Sequence, residues 1–194
     1  MSRYRTRSWR AFDPTAPAAA GAPAASVRIL GLDPGSRRTG YGVIECRGSD
    51  VVVLAHGCLN VASASPAVRL RLIFEGLQAL LATHCPGEIA VERVFVSRNV
   101  DSALKLGQAR GAALCAVPAG TPVFEYAPRA IKLAVVGSGA AEKFQVAHMI
   151  RALLRLDERP GADAADALAV ALCHAHARRL ALLARGAPAW QAAR

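Results

Sequence analysis

The sequence predicts an α/β domain built on a five-stranded mixed sheet with helices on both faces. Three observations lead there. Three apolar runs of strand length, residues 27–32, 40–46 and 51–58, follow one another across short turns. Two more, 88–92 and 122–126, alternate with stretches of helical spacing. A length of 194 residues with 53% hydrophobic side chains suits one domain with a full core.

The first strand ends on Asp33, and Pro34-Gly35-Ser36 turns the chain into the second. Gly48-Ser49-Asp50 turns it into the third, so the opening reads as an antiparallel meander. Ser65 is placed to cap a helix, with Pro66 in its first turn. Leu70, Ile73, Leu77, Leu80 and Leu81 keep helical spacing to about His84. The fourth strand covers 88–92, a helix 99–117 and the fifth strand 122–126. Two helices follow, near 142–156 and 164–184. No internal repeat is visible.

Residues 1–26 carry four arginines against Asp13 and then run into Ala, Pro and Gly. No apolar period persists, so a disordered extension is expected. A transit peptide or a start assigned too early are the other readings. The domain is expected over 27–184, with a tail at 185–194.

The chain's 24 basic and 14 acidic residues give a net charge of +10. Without residues 1–26, 20 basic and 13 acidic residues still leave +7, so the domain itself is basic. Such a surface suits a polyanion, most often nucleic acid. His174, His176, Arg178 and Arg179 interrupt the most apolar late stretch, which argues against a membrane span. The five cysteines, Cys46, Cys58, Cys85, Cys115 and Cys173, form no Cys-x-x-Cys pair and sit among apolar neighbours. They read as buried free thiols in a reducing compartment, the cytoplasm.

The chemistry lies with the acids. Asp33 and Glu92 each end an apolar strand. If those strands are parallel neighbours, both carboxylates stand at one sheet edge, where α/β proteins bind ligands. Asp163 and Asp166, three apart in an alanine-rich helix start, share a helical face. Any one of these acids alone reads as a cap or a solvated group. Four together would repel one another unless cations intervene. An all-oxygen set favours Mg²⁺ or Mn²⁺. His174, eleven residues past Asp163 and about 16 Å along the helix, is too far to join them.

Several segments then become specific. Ile29-Leu30-Gly31-Leu32-Asp33-Pro34-Gly35-Ser36 with Thr39-Gly40-Tyr41-Gly42 resembles the opening of the RuvC family of Holliday junction resolvases. Val91-Glu92-Arg93-Val94-Phe95, the run from Asp101 to Gly111, Pro122-Val123-Phe124-Glu125-Tyr126, Ala141-Glu142-Lys143 and the run from Ala162 to Ala169 continue it in order. The Asp-Pro-Gly-Ser motif alone is shared with actin-like ATPases and related nucleases. The whole series is far more specific.

The resemblance implies a ribonuclease H-like fold and a homodimer that nicks four-way DNA junctions symmetrically. It makes Asp33, Glu92, Asp163 and Asp166 the catalytic, metal-binding acids, holding two Mg²⁺ per subunit, with Mn²⁺ able to substitute. Phe95 corresponds to an aromatic that meets bases at the junction centre. By composition alone it reads equally well as a core residue. Lys132 and Lys143 correspond to basic residues near the scissile phosphate, and a branch-migration motor is an expected partner. Arg37, Arg38, Lys105, Arg110 and Arg129 lie in segments around the acidic edge and suit phosphate contacts.

A ribosomal-RNA-processing nuclease with a similar opening is disfavoured by Phe95, the long helix after Asn99 and the Asp163/Asp166 pair. An actin-like ATPase needs a second domain, and a dead junction binder should have lost an acid. Finally, Ala103, Gly107, Gly111 and Cys115 make a small-residue stripe. Each helical glycine costs about 1 kcal/mol against alanine, which close approach of another backbone would offset. That backbone is either the chain's own sheet or, as the family resemblance favours, a second subunit.

Overall fold

A computed structural model describes residues 26–93 and 99–186. The expectations for the extension, for Phe95 and for the tail from 187 onward lie outside the described residues.

Strands β1 (Val27–Asp33), β2 (Arg38–Arg47) and β3 (Asp50–Asn60) form the antiparallel meander. Helix α1 (Pro66–His84) then crosses to β4 (Glu88–Glu92), which pairs parallel to β1. Helix α2 (Val100–Cys115) leads to β5 (Val123–Tyr126), parallel to β4. The sheet order is β3-β2-β1-β4-β5. Helices α3 (Pro128–Val136), α4 (Lys143–Leu153) and α5 (Ala162–Gly186) complete the chain.

Helix α3 was not among the expected elements. It is nine residues long, and Ile131 and Val135, one turn apart and buried, are the whole of its apolar period. Its other local signals are Pro128 at its start and Gly137, in the left-handed conformation, at its end.

Period-two alternation divides the sheet between two cores. Leu30, Leu32, Ile89 and Val91 pack against α1 and α2. Ile29, Ile44 and Ala90 pack against α3, α4 and α5. Gly31 shares this second face, and so does Gly40 on the neighbouring strand. A side chain on Gly31 would overlap the Ala167 carbonyl, and one on Gly40 the Asp163 carbonyl. These two glycines let α5 lie directly on β1 and β2, which fixes where its acidic first turn stands.

By length and composition Ala162–Ala184 could cross a membrane, yet half of it is buried inside the domain. Ala167 to Cys173 are all buried, so packing on the sheet accounts for the apolarity of α5.

The expectation of five buried thiols is corrected. Cys173 is buried and Cys46 and Cys58 are half-buried, but Cys85 and Cys115 are exposed. Cys85 occupies the left-handed cap of α1, and Cys115 ends α2 on its outer side. Apolar sequence neighbours did not report which way either side chain points.

Candidate active site

Strand register brings the first two acids together. β1 and β4 pair as far as Leu32 and Val91, and the next residues are Asp33 and Glu92. Alternation turns both toward α5, close enough for each carboxyl to perturb the other. The first turns of α5 supply the other two. Asp163 lies 3.6 Å from Arg38 and accepts a hydrogen bond from the Cys58 thiol at 3.5 Å. Asp166 accepts one from the Lys143 ammonium at 3.0 Å.

The electrostatics are those of crowded negative charge. Burial, then the charges of Asp166 and Asp163, push the Asp33 carboxyl from 3.8 up to about 6, against the pull of Lys143. Burial, then Asp33 and Asp166, push Glu92 from 4.5 up to about 7. Lys143 is pushed upward by its bond to Asp166 and keeps its charge.

The donor chemistry fits a hard divalent cation. Every candidate donor is a carboxylate oxygen, and a cation would offset both the burial and the mutual repulsion that raise Asp33 and Glu92. As they stand, no three such side chains among the described residues converge tightly enough to grip one ion. Asp163 is paired instead with Arg38 and Asp166 with Lys143.

The basic residues sort into two groups. Lys132 and Lys143 line a small cavity with Glu92 and Asp166, and Arg38 stands at Asp163. Lys105 instead pairs with Asp101 one turn back, and Arg110 with Glu125, each at 2.5 Å. Arg93 also approaches Glu125, at 3.7 Å. Arg129 packs its stem over Gly139.

Sequence reasoning missed Cys58 as a neighbour of the acids. Its signal is register: it pairs with Gly40, the residue over which Asp163 lies. Among the described residues nothing outside the helix's own backbone stands within 4 Å of where side chains on Gly107 and Gly111 would begin, so the chain's own sheet is not their partner.

A mixed sheet in this order, with acids at the carboxyl ends of its central parallel strands, is a ribonuclease H-like architecture. Residues 29–174 match the family model of the crossover junction endodeoxyribonuclease RuvC. The chain belongs to the RuvC family. A RuvC of Alkalilimnicola ehrlichii is 59% identical over 150 residues, 77% of this chain and 91% of that relative. A RuvC of Halorhodospira halophila is 58% identical over 159 residues, 81% of this chain and 95% of its own length. The T. thermophilus RuvC solved in complex with Holliday junction substrate superposes with a TM-score of 0.75 at 36% identity. That match covers 80% of this chain and 96% of the other. The yeast mitochondrial Holliday junction resolvase, 14% identical with a TM-score of 0.55, shares the fold.

Proposed function

We propose that this chain is a Holliday junction resolvase that opens phosphodiester bonds at the edge formed by Asp33, Glu92, Asp163 and Asp166. One observation carries the reading: strand register and the first turns of α5 assemble four carboxylates at one edge of a basic domain. Two divalent ions, Mg²⁺ or in its place Mn²⁺, would supply activation of a water and charge stabilisation at the leaving oxygen. Asp33 and Glu92 would hold them from the sheet, and Asp163 and Asp166 from α5.

The chain's own cations handle the phosphate. Lys143, held charged beside Asp166, and Lys132, half-buried in the same small cavity, face the place where the scissile phosphate would sit. When a phosphate enters, Lys143 and Arg38 exchange their carboxylate partners for its oxygens, which frees Asp166 and Asp163 for the ions. The same motion would convert the ion-paired arrangement into the ligating one. Lys105 and Arg110 would serve as outlying phosphate contacts, and Phe95 would meet bases at the junction centre, as the family resemblance implies.

The functional unit is a homodimer acting on a two-fold-symmetric substrate, which gives two nicks in opposed strands. The open face over Gly107 and Gly111 supports α2 as its seam, and a branch-migration motor would feed it junctions. A synthetic mobile four-way junction, incubated with and without Mg²⁺, tests the reading. Paired nicks at symmetric positions only with the ion are expected. An intact junction, or preferential cutting of a structured RNA, would overturn it.

A further inference from the structure

The small cavity at the acids is the first of three neighbouring hollows along α4. It holds about 80 Å³ and shares Lys143 and Asp166 with a neighbouring cleft of about 300 Å³. That cleft shares Phe144, Ala147 and Arg159 with a groove of about 490 Å³. Gln145, His148, Met149 and Arg151 continue the groove's wall along α4.

Folding does not explain what lines it. Phe144, directly after the phosphate-facing Lys143, leaves 60% of its surface exposed. Burying that ring would be favourable, and nothing in the described chain does so. Arg159 is exposed and meets no carboxylate among the described residues. Arg151 donates only to the carbonyls of Leu156 and Asp157, which leaves its charge uncompensated. Asp157 and Glu158 precede Arg159 in sequence but do not line the groove.

A free aromatic ring flanked by unpaired guanidinium groups matches a nucleotide, because the ring stacks on a base while the guanidiniums hold phosphate. A volume of this size lies within the range of ligand sites. We infer that the Phe144–Arg159 groove is a nucleotide subsite that grips the cleaved strand beside the scissile phosphate. DNA is favoured over a protein partner because the cleft between groove and catalytic cavity shares Phe144 and Arg159 with the one and Lys143 and Asp166 with the other, and the groove is basic. The inference rests on the junction-cleaving reading and adds to it the residues that hold the strand outside the reaction centre.

The test uses the full chain and four-way junctions carrying 2-aminopurine at single positions flanking the cut. In chelator, one flanking position should be quenched by the wild type, not by Phe144→Ala, and again by Phe144→Trp. Phe144 is exposed, so its removal should leave thermal unfolding unchanged. With Mg²⁺ at sub-saturating protein, Phe144→Ala should slow cleavage at least about five-fold, the low end for losing one base–aromatic stack, and Arg159→Ala should slow it too and lower the salt dependence of junction binding. Unchanged quenching and rates in both variants, with the wild type still making paired nicks, would overturn the subsite alone. Variants that cut naked junction normally but lose stimulation by a protein partner would overturn it too, and assign the groove to that partner. A wild type that leaves the junction intact would overturn subsite and function together.

Discussion

Two glutamates stand at opposite ends of β4, on the same face and under the same helix, in opposite surroundings. Glu88 meets His174 Nε2 at 2.7 Å and accepts from Arg178 at 3.0 Å. His174 in turn meets the Tyr126 hydroxyl at 2.7 Å and stacks on Phe124 at 4.3 Å. Every partner Glu88 needs is part of the chain. Glu92, four residues later, feels the charges of Asp33 and Asp166, and Lys143 offsets them in part. At one end of the strand the protein completes its own electrostatics, and at the other buried carboxylates crowd together with less compensation.

The comparison breaks most sharply in activity. Glu92→Gln and Asp33→Asn should each lower junction cleavage more than about 100-fold, beyond the 10–100-fold typical of residues that merely orient metal ligands. Junction binding should persist, which a gel-shift titration in chelator checks. Glu88→Gln should cut within a few-fold of the parent rate. Full activity in Asp33→Asn would remove the acids from the chemistry.

Stability should show the reverse order. His174→Ala strips Glu88 and Tyr126 of a buried partner and should cost about 1–3 kcal/mol in urea unfolding. Glu92→Gln should cost nothing, and above neutral pH it should stabilise the ion-free protein.

The sign follows from the two raised carboxyls. Asp33 and Glu92 titrate at about 6 and 7 in the fold, against ordinary values of 3.8 and 4.5. The folded state therefore holds more protons between those values. Their contribution to stability is full below about pH 4 and is lost as pH rises through 6 to 7. Unfolding measured across this range in chelator should show that decline. Mg²⁺ should flatten it, and so should Glu92→Gln in part.

The smallest effect belongs to an exposed pair. Lys105→Ala breaks only the one-turn contact with Asp101 and should cost about 0.3–0.5 kcal/mol in thermal unfolding. If Lys105 contacts phosphate, the same variant should reduce the salt dependence of junction binding by about one ion.

The two ends of β4 were not equally legible in the sequence. Glu92 and Asp33 stand out because each terminates an apolar run, and that pattern alone places a carboxylate at a strand's end. Glu88 begins the same strand, and its partners lie 86 and 90 residues away, a distance no local pattern spans. The same limit hid Arg110's attachment to Glu125 and Lys143's to Asp166. Helix α3 escaped for lack of length, and the exposure of Cys85 and Cys115 because apolar neighbours say nothing of direction. Periodicity reports faces, whereas partners are set by which faces meet.

If divalent ions complete the edge at Glu92 and not the network at Glu88, calorimetric titration of Mn²⁺ into the protein bound to a non-cleavable four-way junction should show it. Two ions per subunit are predicted for the parent and for Glu88→Gln, with loss of binding in Asp33→Asn and Glu92→Gln. Ion binding that survives both of the latter substitutions, or that disappears in Glu88→Gln while the protein stays folded, would contradict the account.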